Sequence, residues 1–508
     1  MGEPLEKDSV ESDTERGTVD KTRVYANDKP VVEIDAFEQN KNNSDYQEFK
    51  TLDLYSHNCR LVSNSIIQFD SSNKLLAALL LAETLALGVL NFPKIASEIG
   101  VVPTIIATIG LACLAWVTGY ILVDFKVNHP SVMSFADVGQ LIGGPILKWV
   151  LLTGVLLSGI FISASHTNSG GTALLEMSSN ARCSVLLGLC IALLCFIFTI
   201  PRKYEHTAYA AFISCFSIVV ACLITIIACG VNRDSWGNSN GEVTWKAFNN
   251  PGLVGVINSF TEIVFAYGGH AFIFSATADK EMKNPNDFKK SLAVVQVVST
   301  AFYITIGVGV YVLVGDANVV SPALSIPSHK VETIAYAIAM ISIIVSGIIP
   351  VLTGLKQLWL ELFRGKPMLT SNSWKANALW VFMAFITWMI GKRVLSSLFF
   401  SDKPQGFILS QLIPFFSSLI SIVASVTIVW FTYGLSGVIW LAENKKHCYK
   451  SPSGWFVNRQ KRCMAVFSIL IIFLAVVITP LGVYGSAGSI KEGYNEGSYS
   501  HPFACKAN

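Results

Sequence analysis

The sequence predicts an all-α polytopic membrane protein of about eleven transmembrane helices, and three observations carry that expectation. Of its 508 residues, 52% are hydrophobic and only 14% charged, giving a mean hydropathy of +0.52. So much apolar side chain cannot be hidden inside one water-soluble core. The apolar residues gather in runs close to the roughly 20 residues that a helix needs to cross the hydrocarbon layer of a bilayer. Two of those runs, five apart in chain order, are broken by glycine or proline at membrane depth. The charge balance excludes another class. The formal net charge is only +3 and the lysines and arginines are dispersed, so the concentrated basic face that a nucleic acid partner requires is missing. The expected partner surface is the lipid bilayer. Of the eleven cysteines, Cys113, Cys190, Cys195, Cys215, Cys222 and Cys229 lie inside apolar runs. There a thiol behaves as a small hydrophobe, and no disulfide framework is expected.

Residues 1–73 hold 15 of the 34 acids and no long apolar run, the composition of a solvated, disordered tail. The tail lacks the basic start and apolar core of a secretory signal peptide, so the first hydrophobic segment is expected to act as both targeting signal and permanent span. Residues 74–484 make up the transmembrane domain and 485–508 a short extracytoplasmic tail. The first span, 75–92, runs up to Pro93 and Lys94. The second, 101–125, closes on Asp124 and Lys126, and the third, 146–169, starts at Lys148 and ends in a polar patch of Ser163, Ser165, His166, Thr167 and Asn168. The fourth, 184–200, lies between Arg182 and Arg202, and the fifth, 207–230, stops before Arg233. The sixth, 253–276, lies between Lys246 and Lys280, the seventh, 291–314, follows Lys290, and the eighth, 331–355, is framed by Lys330 and Lys356. Residues 376–390 are too short alone and meet Gly391-Lys392-Arg393, so they join 407–416 as one interrupted ninth span. The tenth, 419–441, ends before Lys445, and the eleventh, 463–484, follows Arg462.

Loops after even-numbered spans carry 18 lysines and arginines, and loops after odd-numbered spans carry five, or eight with Lys392, Arg393 and Lys403. The excess of positive residues in cytoplasmic loops therefore predicts a cytoplasmic N-terminus and an external C-terminus. On this orientation Cys183 and Cys505 share the outer side and are candidates for pairing. Asp124, Glu332 and Glu361 fall at span edges.

The chemistry is expected at the two interruptions. In the first span Leu87-Gly88-Val89-Leu90-Asn91-Phe92-Pro93 ends in a proline that cannot donate to the helix ladder. In the sixth, Ala266-Tyr267-Gly268-Gly269-His270 places paired glycines and a histidine at membrane depth. Either break alone reads as a kink, but their spacing is that of two structural repeats, spans one to five and six to ten, with broken helices in corresponding positions. Unwound backbone would leave N–H groups at Leu87, Gly88, Val89 and Leu90 for a carboxylate, helped by the positive end of the following half-helix. Carbonyls near Phe265, Ala266 and Tyr267 would take an ammonium, with Thr84 and Gly268 beside them. The two sets fit the two ends of a zwitterionic amino acid. Spans three and eight are expected to supply the side-chain pocket, at Ser158, Gly159, Ile162, Ser346, Gly347 and Thr353. The competing reading of the small residues among these is close helix packing.

Ala82-Glu83-Thr84 followed by Leu87 to Pro93 resembles the first-helix signature of the amino acid/auxin permease family of the amino acid-polyamine-organocation superfamily. Ile263-Val264-Phe265-Ala266-Tyr267-Gly268-Gly269-His270, with Glu281-Met282-Lys283-Asn284-Pro285 after it, is similar to that family's sixth helix and following loop. So are Ile413-Pro414-Phe415-Phe416 and Trp430-Phe431-Thr432-Tyr433-Gly434. Within the family, the neutral amino acid permeases of filamentous fungi are the most similar branch. The resemblance implies an eleven-helix, 5+5 inverted-repeat fold of the leucine transporter type. It also implies import of neutral amino acids, aliphatic and aromatic, with protons. Two stretches depart from the family's pattern, Tyr55 to Asn73 and Gly391 to Gly406. The second is costly: Lys or Arg at the bilayer centre costs about 2.5–3.5 kcal/mol each, so this segment should bulge to an aqueous surface.

Intramembrane carboxylates are functional candidates because they are expensive. Glu83 lies one turn before the first break and Glu262 one turn before the second. Each is read either as a proton-coupling group or as a brace for the broken helix. His270, beside the second break, is a third coupling candidate whose alternative is a hydrogen bond to unwound backbone. No HExxH motif, Walker motif or convincing nucleophile–base pair is present, which argues against an enzyme or a nucleotide-driven pump. No metal or organic cofactor is expected. The coupling ion is the proton, with sodium as the alternative, since unwound carbonyls serve either. The plasma membrane is the expected location and the vacuolar membrane the alternative. A transporter-like nutrient receptor signalling through the acidic tail is the remaining rival.

Overall fold

A computed structural model describes residues 25–26, 29–30, 80–85, 88–129, 132–179, 183–201, 205–236, 243–272, 287–369, 371, 373–390, 416–445, 454–456 and 458–495. Within the tail, β1 (Tyr25–Ala26) pairs antiparallel with β2 (Lys29–Pro30). The other described secondary structure is helical. Leu87, Cys505, residues 55–73 and 391–406 and the joined half-span 407–415 lie outside the described residues.

The first span is divided. Helix α1 (80–85) is followed, beyond residues 86–87, by a 3-10 turn, Gly88–Asn91, and then α2 (Phe92–Ile99). Pro93 sits at the very start of α2, where the missing N–H has no helical acceptor to lose. Gly100 (φ +91°) then turns the chain into α3 (Val101–Asn128). A Cβ at Gly100 would lie 2.7 Å from Ala247 O, so only glycine admits the loop that crosses there. Val101 N and Val102 N donate to Lys246 O and Ala247 O at 3.1 and 3.0 Å.

Helix α4 (Phe135–Met177) begins with a capping box in which Ser134 and Asp137 exchange side-chain and backbone bonds, and it kinks at Gly144 before Pro145. The expected third span starts just past this kink. The chain continues through α5 (Ser184–Thr199), α6 (Glu205–Val231), α7 (Gly252–Ala266), a 3-10 turn Gly269–Phe272, α8 (Asp287–Val314), α9 (His329–Phe363) and α10 (Trp374–Ile390). The tenth span runs from α11 (Phe416–Val423) through two π-helical turns, Ala424–Ile428 and Trp430–Gly434, into α12 (Leu435–Glu443). Helix α13 (Arg459–Asn495) closes the bundle.

Seven described helical stretches, one of them running from α11 through the π-helical turns into α12, are long and apolar enough to cross a membrane. Their outer faces carry large hydrophobes, with Ile146 80%, Phe216 68% and Phe473 65% exposed, while Ser214, Ser299 and Ser346 are fully buried. That distribution suits lipid rather than water as the surrounding solvent. Helix α9 packs most extensively on α4 and α6, α8 lies against α2 and α3, and α13 lies along α7 and α12. At Gly159 the α4–α9 approach leaves a Cβ only 2.5 Å from Pro350 O, and at Gly347 one would lie 2.8 Å from His166 Cβ. These two glycines occupy the helix contact, the packing reading weighed for them above. Cys183 is disulfide-bonded. The other described cysteines are free thiols, so its partner lies outside the described residues.

Candidate functional site

The two interruptions meet. A Cβ on Gly88 would lie 3.0 Å from Ala266 Cβ, and one on Gly269 would lie 3.3 Å from Thr84 Cγ2. Residues almost two hundred positions apart thus place the turn after α1 against the end of α7 and the turn that follows it. Tyr303 of α8 holds the pair together. Its hydroxyl reaches Thr84 O of α1 and, at 2.8 Å, Ala266 O of α7. Its ring is fully buried, stacked on Phe92 at 4.5 Å and edge-on to Tyr267 at 5.5 Å. One side chain therefore serves carbonyls that two broken helices cannot serve themselves.

The backbone chemistry differs in part from the expectation. Gly88 and Val89 begin the 3-10 turn, so their N–H groups have no acceptor within it. Among the carbonyls, however, Phe265 O accepts from Gly268 N at 2.9 Å and Ala266 O accepts from Tyr303. The expectation of wholly free carbonyls at Phe265 and Ala266 is corrected accordingly: both already accept hydrogen bonds. The physical reason is that buried carbonyls find donors wherever the fold offers one.

A cavity opens beside the breaks, lined by Thr84, Tyr267, Gly269, His270 and Gln296 with apolar residues including Leu292. His270 is buried, its Nε2 2.7 Å from Ala115 O of α3, and Gly119 gives it room, since a Cβ there would lie 2.9 Å from the same nitrogen. Val89, Leu90, Ile162, Ala266 and Tyr267 share one apolar cluster around Tyr303. Ser158 is buried on α4 and donates to Gly154 O at 2.8 Å. Glu83, on α1, has its Oε2 buried without a hydrogen-bond partner among the described residues. Glu262 is buried on α7. Neither carboxylate is among the described residues lining the cavity. His166 Nδ1 bonds Ile343 O at 2.8 Å, joining α4 to α9. Ser346 donates to Ala82 O at 3.2 Å, joining α9 to α1.

Sequence reasoning did not name Tyr303, Gln296 or Thr300, the last of which bonds Tyr267 OH at 2.9 Å. A signal was present: positions 296, 300 and 303 follow the i, i+4, i+7 spacing of one helix face, a polar stripe in an otherwise apolar span.

The family described as "Transmembrane amino acid transporter protein" matches residues 70–481. An "N amino acid transport system protein" of Neurospora crassa is 26% identical over 442 residues, covering 85% of this chain and 87% of that one. A "Transmembrane transporter" of Gibberella moniliformis is 22% identical over 427 residues, 83% and 85% of the two chains. Among solved structures, a Na+-coupled sialic acid symporter in its outward-open state aligns with TM-score 0.46 and 11% identity, over 88% of this chain and 96% of that one. A nucleobase-cation-symport-1 family transporter aligns with TM-score 0.48 and 11% identity, over 85% and 94%.

Proposed function

The chain belongs to the transmembrane amino acid transporter family, and from that premise we propose that it imports neutral amino acids as a proton symporter working by alternating access. The observation that carries this reading is the apposition of the two interruptions, Gly88 against Ala266, with Tyr303 bridging Thr84 and Ala266. Broken helices in corresponding positions of two halves are where secondary transporters bind cargo. The N–H groups of Gly88 and Val89 receive the substrate carboxylate. The carbonyls around Phe265 to Tyr267 receive its ammonium, with Thr84 and Gly268 at the edges.

Val89, Leu90 and Ile162 favour an uncharged side chain, because a charged one buried among them would lack a partner. Symport requires a group that gains and loses a proton as the site faces each side in turn. Glu83, whose buried Oε2 has no hydrogen-bond partner among the described residues, is the first candidate, and Glu262 and His270 are the others. We place the protein in the plasma membrane with its N-terminus in the cytoplasm.

The test is uptake of radiolabelled phenylalanine or leucine by amino acid-auxotrophic yeast expressing the chain, at acid and neutral external pH, with and without a protonophore. Uptake that rises in acid and collapses with the protonophore is expected. Uptake that follows external sodium instead overturns the proton assignment. No uptake from protein present at the cell surface overturns import.

A further inference from the structure

Away from the breaks, the end of α4 and the start of α9 bring Glu176, His329 and Glu332 together. One potential ligand atom from each lies within 4.8 Å of the other two. His329 Nδ1 is 3.7 Å from Glu332 Oε2, and its Nε2 is 3.1 Å from Ser179 Oγ. Glu332 is buried, Glu176 half-buried and His329 exposed.

The charges are only partly balanced as they stand: Glu332, in the first turn of α9, has the favourable end of a helix dipole, but Glu176 does not. Glu176 occupies the last turn of a 43-residue helix, where the macrodipole disfavours negative charge, and a second carboxylate faces it from α9. Among the described residues no lysine or arginine pairs with either acid, and the imidazole is the one ionic partner that Glu332 has. Two carboxylates and an imidazole converging from separate helices with surplus negative charge form the donor set of a divalent transition-metal ion. Three protein ligands leave a fourth position for water, the pattern of open zinc sites. The imidazole nitrogen favours this class over magnesium or calcium, hard cations that take oxygen ligands.

We propose that Glu176, His329 and Glu332 form a binding site for a divalent transition-metal ion of the zinc class, joining the end of α4 to the start of α9. Bond lengths of about 2.0–2.2 Å place tetrahedral ligands roughly 3.3–3.6 Å apart, so the widest separation must close by about 1 Å. Exposed His329 and half-buried Glu176 are the ligands with room to adjust, while Glu332 is buried in the first turn of α9. Nδ1 faces Glu332 and is the ligating nitrogen. Ser179, bonded to Nε2, orients the ring from outside, as partners of metal-bound imidazoles do.

The experiment titrates Zn2+ into the purified full-length chain in detergent and follows its thermal unfolding, with Co2+ as a spectroscopic substitute. The unfolding midpoint is expected to rise with the logarithm of free Zn2+, and Co2+ to develop visible ligand-field absorption. Both responses should vanish in His329→Ala, an exposed position whose truncation leaves the fold intact, and in Glu176→Gln. No rise in the unsubstituted chain overturns the proposal. So does a rise retained in His329→Ala, which would assign binding to other groups such as the exposed thiols of Cys113, Cys190 and Cys463.

Discussion

Tyr303 is the residue on which the meeting of the two broken helices most depends. Tyr303→Phe keeps the ring stacked on Phe92 and removes the donor to Thr84 O and Ala266 O. A buried carbonyl deprived of its partner costs about 1–3 kcal/mol, and a loss of about 1.4 kcal/mol in the transport barrier is a tenfold rate change. We expect the variant to reach the cell surface in near-normal amount and to lose uptake by about tenfold or more, measured as initial rate per surface copy. An unchanged rate would show that the bridge is dispensable. Gly88 permits the contact itself. A methyl there would stand 3.0 Å from Ala266 Cβ, so Gly88→Ala should depress uptake, and combining it with Ala266→Gly should restore much of the loss. For Glu83→Gln the reading of proton symport predicts uptake that no longer responds to external acid. Persistent acid stimulation in that variant would move the coupling role to Glu262 or His270.

At the scale of elements, the largest helix contact is that of α9 with α4, and its closest point is Gly159 against Pro350 O at 2.5 Å. Gly159→Val forces the helices apart, an overpacking cost of about 1–3 kcal/mol. Its measured consequence should be a lower thermal unfolding midpoint in detergent, together with reduced surface expression. The interface also carries His166 bonded to Ile343 O at 2.8 Å. Of the polar patch at the end of the third span, His166 thus ties this helix pair together through α9 backbone, while Ser165 and Thr167 donate within α4. Lys148 and Glu361 form a further ion pair between the same two helices. Helix α10 is described as far as Ile390, and in the sequence the charged stretch from Gly391 follows it. From the insertion cost of Lys392 and Arg393, a chain lacking residues 391–406 is expected to reach the membrane in greater amount, quantified by surface labelling.

At the scale of the whole molecule, the loop-charge asymmetry is the basis for orientation. An epitope fused to the N-terminus should be stained only after cells are permeabilised; staining of intact cells would reverse the assignment. Hydropathy by itself determined that the chain is a polytopic helical bundle and where most of its helices lie, because a bilayer imposes length and internal backbone pairing on each segment locally. The glycine and proline interruptions were equally legible, since Pro93 and Gly268-Gly269 act on their own backbone. Only the tertiary structure decided that these interruptions touch, that Tyr303 occupies the Ala266 carbonyl otherwise expected to be free, and that Glu176 meets His329 and Glu332. A tyrosine or glutamate in an apolar sequence carries no mark of its partner. Hydrogen-bond donors, ligands and helix contacts from distant parts of the chain are paired by packing, which no local pattern encodes.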